Sequence, residues 1–139
     1  MYKKILLAAD GSEHSIRAAK RAAELSSLQR AGEVTVIYVV DGDQSKSDVS
    51  TGGNKDTIDQ RRHQRLRPVE NILSEENVSF NIEMRHGAPG PAIVKYANEG
   101  EFNLVIIGSR GLNTLQEMVL GSVSHKVAKR AKCPVMIVK

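Results

Sequence analysis

Five short apolar runs, separated by helical patterns, constrain the fold of this chain more than any other feature of its sequence. Four of the runs are continuously apolar, whereas the third alternates apolar and polar residues. Continuously apolar strands are typical of a parallel sheet that helices cover on both faces, and an alternating strand is typical of a half-exposed edge. The five runs are residues 5–9, 34–40, 78–84, 104–107 and 135–138.

Apolar residues at helical spacing predict a helix in each gap between these strands. The first helix is predicted from Ser12, a suitable N-cap residue, to about residue 30. The second is predicted over 57–76, where Pro68 is expected to kink or shorten it. A short third helix follows Pro89, and the last is predicted over 115–131. This alternation predicts parallel βαβ units, and therefore an α/β fold with one open, doubly wound, five-stranded sheet.

The length of the chain and one polar segment define its domain organisation. With 139 residues the chain fits a single domain, 1–139, that is long enough to bury one sizeable core. Residues 41–55 are polar and rich in glycine and serine. We interpret this segment as a long mobile loop after the second strand, not as a linker between two domains.

The charge of the chain is modest, with a formal net value of +4. Its densest basic run falls within a predicted helix and suits a solvated helix face better than a nucleic-acid footprint, although that second interpretation stays open. Aromatic residues make up only 4% and tryptophan is absent, which argues against a stacking platform for single strands. Nucleic acid is therefore not expected as a partner. The basic run consists of Arg61, Arg62, Arg65 and Arg67.

The single cysteine, Cys133, bears on the compartment in which the protein works. One cysteine forms no internal disulfide, which favours a reducing compartment, and a packed thiol is expected at this position. The chain starts directly with a predicted strand, so no signal peptide is expected, and no apolar run reaches membrane-spanning length. The sequence predicts a cytoplasmic protein without a membrane partner.

Ligands of open α/β sheets bind beyond the carboxyl ends of the strands, so the residues that follow each strand are the first candidates for a site. Asp10 follows the first strand and Asp41 the second. The fourth strand is followed by Gly108 and Gly111, and the pair Gly121-Ser122 comes after nine further residues. Glycine permits positive φ and a close approach of backbone amides, which phosphate oxygens need.

The glycine pattern has two interpretations. Gly108 and Gly111 could simply form a tight turn, with Gly121 at a point of close helix packing. Two glycines alone would favour that structural interpretation. The full pattern after a buried strand favours phosphate binding.

The segment 108–127 (GSRGLNTLQEMVLGSVSHKV) resembles the signature of the universal stress protein family, in its ATP-binding subgroup. The opening residues 3–12, the Gly87-Ala88-Pro89 element and the closing residues 133–138 are also similar to that family. The resemblance covers the whole chain except the loop 41–55, and Pro91 departs from the usual pattern. It implies an adenine-nucleotide α-hydrolase-like fold with strand order 3-2-1-4-5.

The same resemblance implies a ligand and a set of binding residues. The ligand is ATP, with Mg²⁺ or Mn²⁺ as a plausible companion on the phosphates. Asp10 corresponds to an acidic residue near the ribose and adenine, and Val39 to a residue whose backbone meets the adenine edge. The remaining positions surround the ribose and phosphates. They are Gly108, Ser109, Arg110, Gly111, Gly121, Ser122 and Val123.

The resemblance and the edge chemistry also predict a homodimer. The fifth strand, Val135–Val138, is apolar on both faces, and an apolar edge strand is usually covered or charged. Pairing with the same strand of a second subunit would cover it. The alternative is that this strand is too short to pair and that neighbouring helices shield it.

Some of these residues also have structural interpretations. Asp10 could cap the following helix, a role that is compatible with ligand contact. Arg110 is expected to be solvated when no ligand is bound, with a phosphate contact as the weaker alternative. The four histidines show no metal-ligand spacing and no evident partner, so we expect them on the surface or within helices. They are His14, His63, His86 and His125.

Other functions fit the sequence less well. The chain lacks the glycine motifs of P-loop and dinucleotide enzymes, and no catalytic triad can be assembled at the strand ends. A phosphoacceptor receiver domain needs an acidic residue after the third strand, where this chain has Arg85-His86-Gly87. We expect at most slow ATP hydrolysis and no enzyme function. The serious alternative is a family member that binds no nucleotide and acts as a structural or partner-binding dimer.

Overall fold

The fold follows the predicted alternation of strands and helices. The structure is a computed structural model that describes residues 2–29, 32–42, 49, 52–110 and 120–139. Its principal elements, in chain order, are β1 (Lys4–Ala8), α1 (Glu13–Ser27), β2 (Glu33–Val40), α2 (Lys55–Glu75), β3 (Ser79–His86), α3 (Pro89–Glu99), β4 (Leu104–Gly108), α4 (Ser122–Arg130) and β5 (Val135–Val138).

One five-stranded sheet organises these elements. Its strand order is β3-β2-β1-β4-β5 and every neighbouring pair is parallel, which confirms the predicted fold class and order. β1 lies in the middle, where Ile5 pairs with Val34 of β2 on one side and with Leu104 of β4 on the other. The order reverses at β1, so the carboxyl ends of β1 and β4 flank the switch point of the sheet.

The two faces of the sheet carry separate apolar clusters, because successive strand side chains point to opposite faces. Ile5 and Leu7 of β1 pack in a cluster with residues of α1 and α2. Leu6 and Ala8 pack on the other face with residues of α3 and α4. β1 and β2 are almost wholly buried between these layers, which explains their continuous apolar composition.

Helix α1 begins as the sequence predicts. Ser12 is its N-cap, and the Ser12 Oγ accepts a hydrogen bond from the Ser15 backbone N at 3.2 Å. Four alanines form most of its buried face: Ala18, Ala19, Ala22 and Ala23.

Helix α2 differs from the prediction at Pro68. The helix is continuous over 21 residues and contains Pro68, so this proline does not shorten it. Pro68 and Gln64 are both exposed, so water can hydrate the Gln64 carbonyl that has lost its helical donor. The predicted loop 41–55 falls partly on residues outside the described ones, and its last residue, Lys55, is the first residue of α2.

Helix α4 begins later than predicted. Of the predicted helix 115–131, residues 115–119 lie outside the described residues, and Leu120 and Gly121 are not helical. The helix begins at Ser122 with Gly121 as its N-cap. None of the described helices combines the length and apolar composition needed to cross a membrane.

The two edges of the sheet have the predicted characters. β3 carries alternating half-exposed apolar and polar residues, as expected of a solvated edge. β5 is four residues long, and all four of its apolar residues are half-exposed. The second edge therefore has less polar protection than the first.

Candidate functional site

A cleft of about 320 Å³ lies at the carboxyl ends of β1, β2 and β4, at the switch point of the sheet. The starts of α3 and α4 form its other walls. The structure brings seven of the nine sequence-predicted site residues together here. They are Asp10, Val39, Gly108, Arg110, Gly121, Ser122 and Val123.

One part of the cleft is apolar. Ala8, Ile37 and Ile107 reach it from the ends of three strands, and Ile93 reaches it from α3. All four residues belong to the cluster that packs between the sheet and the helices α3 and α4. The cleft is therefore an opening at the edge of the core, with an apolar floor.

Another part of the cleft lining is the N-terminus of α4. Gly121 is the N-cap and has no side chain, none of the side chains that the structure describes caps this helix, and its first turn contains no acidic residue. The first backbone amides of a helix have no partner within the helix, and the helix dipole makes this end positive. Because Ser122 and Val123 line the cleft, their end of α4 offers it hydrogen-bond donors and positive potential.

Gly121 is a glycine because of close packing and not because of its backbone angles. Its φ is −72°, which any residue adopts. A Cβ at this position would lie 3.2 Å from the Ser109 carbonyl oxygen, a tight contact. The Gly121 backbone N donates to that same oxygen at 2.7 Å. This finding supports the close-packing interpretation of Gly121.

Gly108 also serves close packing. A Cβ at Gly108 would lie 2.7 Å from the His14 Cβ and 2.9 Å from the His14 carbonyl oxygen. Its φ is likewise not positive. Gly108 therefore lets the first turn of α1 approach the end of β4, and it lines the cleft as a consequence.

Ser109 does not line the cleft, although it lies between two residues that do. Its exposed fraction is 3%, and its backbone groups form several hydrogen bonds. Its backbone N donates to the Val138 carbonyl oxygen at 2.7 Å, and its own carbonyl oxygen accepts from the Ser124 Oγ at 2.9 Å as well as from Gly121. Ser109 thus fixes the end of β5 and the start of α4 relative to the cleft.

Arg110 lines the cleft beside the start of α4. Its Nε is buried and has no hydrogen-bond partner among the described residues. The sequence had suggested that the Arg110 side chain is solvated when no ligand is bound. The buried Nε shows that it is only partly so. A buried guanidinium N–H without a partner is costly unless an acceptor reaches it, which favours an anionic ligand nearby.

Asp10 follows β1 and lines the cleft with Val39 and Asp41. Its Oδ1 accepts a hydrogen bond from the Ser12 backbone N at 2.9 Å. Because Ser12 provides the cap of α1, Asp10 does not have the capping role considered from the sequence. Asp10 holds the turn before the helix instead.

Two histidines have partners that the sequence did not reveal. The His14 Nδ1 lies 3.2 Å from the Ser109 Oγ, and the His86 Nε2 lies 3.3 Å from an Arg62 guanidinium N. Partial burial, together with the guanidinium groups of Arg17 and Arg110, lowers the pKa of His14. The expectation that the histidines have no partner is therefore wrong for His14 and His86.

Gly111, the remaining predicted position, lies outside the described residues. Several lining residues were not predicted, and two of them had a visible signal: Pro89 follows the Gly87-Ala88 element, and Ser124 repeats the hydroxyl of Ser122 two residues later. The apolar lining residues carried no signal, because strand residues that line a cleft resemble those that fill the core. They are Ala8, Ile37, Ile93 and Ile107.

Comparisons with known proteins agree on one family. A sequence profile described as the universal stress protein family matches residues 1–139. The universal stress protein MJ0531 of Methanocaldococcus jannaschii is 34% identical, over 100% of this chain and 83% of its own length. The universal stress protein YxiE of Bacillus subtilis is also 34% identical, over the full length of both chains.

Solved structures give the same result. The structure of protein MJ0577 from Methanocaldococcus jannaschii is 31% identical, with a TM-score of 0.78, and covers 100% of this chain and 96% of its own. A universal stress protein solved in complex with cAMP is 25% identical, with a TM-score of 0.72, over 99% of this chain and 96% of its own.

Proposed function

The chain belongs to the universal stress protein family, and from that premise we propose that it binds ATP in the cleft between the ends of β1 and β4. The observation that carries the proposal is the uncapped N-terminus of α4, which faces the cleft beside the buried Nε of Arg110. Both groups offer donors to an anion, and a phosphate supplies the matching acceptors.

The apolar floor supports the adenine part of the proposal. An adenine ring is flat and needs apolar contact on its faces, which Ile37, Ile93 and Ile107 supply. Its polar edge needs hydrogen bonds, and Val39, which lines the same cleft, has backbone groups that could supply them. The carboxylates of Asp10 and Asp41 lie on the side of the cleft formed by β1 and β2, where they suit ribose hydroxyls and not phosphates.

The complex of a related universal stress protein with cAMP also supports an adenine nucleotide. It leaves the phosphate arrangement to be tested on this chain. We propose ATP over a cyclic monophosphate because the α4 N-terminus and Arg110 together suit more than one phosphate. Among the described residues no three His, Cys, Asp or Glu side chains converge on a metal site. Mg²⁺ or Mn²⁺ would therefore enter on the nucleotide phosphates, where it neutralises part of their charge.

The test is a set of calorimetric titrations with ATP, cAMP and adenosine. We expect a Kd for ATP of roughly micromolar, which corresponds to about −8 kcal/mol. Mass spectrometry of the small molecules released on denaturing the purified protein gives an independent check. Absence of both ATP uptake and co-purified nucleotide would favour the alternative, a family member that works without nucleotide.

We propose that the bound ATP is hydrolysed slowly, if at all. Fast phosphoryl transfer needs a positioned water and a cation on the γ-phosphate in addition to a metal ion. Arg110 and Asp10 are the candidates in the cleft, and Asp10 already accepts a hydrogen bond from Ser12. Phosphate release faster than about one turnover per second in Mg²⁺ would contradict a binding role without catalysis.

We further propose a cytoplasmic homodimer that pairs through β5. The support is the half-exposed apolar edge Val135–Val138, while the single free Cys133 suits a reducing compartment. Replacing Val135 and Ile137 together with lysine should yield monomers at micromolar concentration in sedimentation velocity. Lysines at the exposed Ser79 and Asn81 of the opposite edge are the matched control and should leave the dimer intact. A monomeric wild-type protein would overturn this proposal.

A further inference from the structure

Helix α3 contains a glycine at its second residue, and the reason lies on the neighbouring helix. Gly90 is buried, and a Cβ built there would lie 2.9 Å from the Lys126 Cδ and 3.5 Å from its Cγ. Glycine disfavours the helical conformation, so a glycine at this position indicates that close packing leaves no room for a side chain. The stem of Lys126 supplies that reason because it lies across the backbone of Gly90.

This packing contact with Gly90 holds Lys126 between α3 and α4, and the first residues of both helices line the cleft. Side chains on a helix lean toward its N-terminus, so Lys126 covers the turn that contains Ser122 and Val123. Those two residues line the cleft on one side, and Pro89, next to Gly90, lines it on the other. Lys126 is not itself among the residues that line the cleft, but its stem lies against Gly90, beside the lining residue Pro89, and it follows Ser122 by about one helical turn.

The surroundings of Lys126 leave its charge uncompensated. Residues 120–139 contain five Lys or Arg and no Asp or Glu. Lys126 forms no ion pair with any of the described residues. A half-buried cation among like charges gains most from an anion that comes to it.

We propose that Lys126 is a rim cation that makes this cleft prefer nucleotides with a di- or triphosphate chain over monophosphates and nucleosides. The inference rests on the proposed ATP site. The first phosphate would occupy the N-terminus of α4, and each further phosphate extends the chain toward the rim. Lysine suits this position because its ammonium group is a mobile point charge that can follow a flexible phosphate chain.

The test compares Lys126→Gln with Lys129→Gln, which removes the same charge from an exposed position of the same helix. Calorimetric titrations with ATP, AMP and adenosine measure each protein. We expect Lys126→Gln to weaken ATP binding about tenfold, the usual size for one lost charge-assisted contact, and AMP binding less than about twofold. Adenosine binding should be unchanged, and Lys129→Gln should change every affinity by less than about twofold.

A second variant, Gly90→Ala, keeps all charges and removes only the space in which the Lys126 stem packs. Its Cβ must displace the flexible stem of Lys126. We expect a lower ratio of ATP to AMP affinity with no loss of thermal stability, because alanine is the better helix residue.

The outcomes separate this inference from the proposed function. A wild-type protein that binds no adenine nucleotide contradicts the ATP site itself. Wild-type binding of ATP with an unchanged ATP-to-AMP ratio in Lys126→Gln overturns the rim cation alone. Equal weakening by Lys126→Gln and Lys129→Gln also overturns it, because the effect would then come from net charge and not from position.

Discussion

Helices α1 and α4 both begin beside the cleft, after neighbouring parallel strands, yet their N-termini are built in opposite ways. At α1 the Ser12 side chain accepts a backbone hydrogen bond and Glu13 supplies an acidic residue in the first turn. At α4 the cap is Gly121, no side chain within the described part of the chain accepts a hydrogen bond from the helix end, and the first turn has no acidic residue. Helix α1 therefore satisfies one of its free amides with its own cap residue, whereas Gly121 offers no such acceptor to the amides of α4.

The two N-termini indicate where an anion can bind when several helices begin at one edge of a sheet. All such termini share the same dipole, so position and dipole alone do not select among them. The presence or absence of a capping side chain does. In the proposed ATP site, the capped terminus of α1 would therefore compete less for phosphates than the terminus of α4.

The largest expected effect is on ATP affinity, when a side chain is introduced that caps the N-terminus of α4. In Gly121→Asp the carboxylate would cap α4 and would also occupy the anion position. Repulsion between unit charges about 4 Å apart is about 4 kcal/mol at an intermediate dielectric, so we expect ATP affinity to fall at least about 100-fold. Calorimetry measures the affinity, and circular dichroism checks that the protein is folded.

Gly121→Ala is the matched control for the aspartate. It makes the same tight contact with the Ser109 carbonyl oxygen but adds neither charge nor cap. We expect it to weaken ATP binding far less than the aspartate does. Equal losses in the two variants would show that crowding, and not the closed anion site, causes the effect.

A smaller effect, on the free energy of unfolding, is expected when the N-cap of α1 is removed. Ser12→Ala removes the cap of α1 and should lower the free energy of unfolding by about 1 kcal/mol. ATP affinity should stay within about twofold, because Ser12 does not line the cleft. Urea denaturation measures the stability, and Ser27→Ala at the exposed last residue of the same helix is the control. An equal loss of stability in both variants would contradict the capping role of Ser12.

The smallest expected effect concerns His14 in the first turn of α1. Burial first, and then Arg17 and Arg110, lower the pKa of its imidazole in the folded protein. The unfolded state then binds the proton more tightly, so stability falls as the pH drops below about 6.5 and through the lower folded pKa. His14→Gln should reduce this acid sensitivity of the melting temperature between pH 7.5 and 5. The exposed His125→Gln should not; equal slopes would contradict the assignment to His14.

The sequence predicted those features that depend on local pattern. Continuous apolar runs located the buried strands, and the alternation of β3 identified a half-exposed edge. Ser12 was recognisable as a cap because its role depends only on the residues that follow it. The glycine pattern likewise located the cleft, since Gly108 and Gly121 both line it.

The features that the sequence did not predict depend on contacts between distant residues. The tight approach of His14 to Gly108 joins residues that are far apart in the chain, so the local pattern around Gly108 did not indicate it. The apolar spacing around Gly121 continues across the start of α4, which hid the true first residue of the helix. Pro68 was expected to interrupt α2 because its exposure to solvent is not visible in the local pattern.

The central position of β1 also affects the order in which the molecule folds. β1 pairs with β2 after one short helical connection, but its other partner, β4, starts only at Leu104. Pairing across so long a stretch of chain is slow, so we expect β1, β2 and β3 to assemble before β4 docks. The cleft exists only after that docking. A nucleotide that binds there would therefore act mainly on the unfolding rate, extending the lifetime of the native state without accelerating its formation.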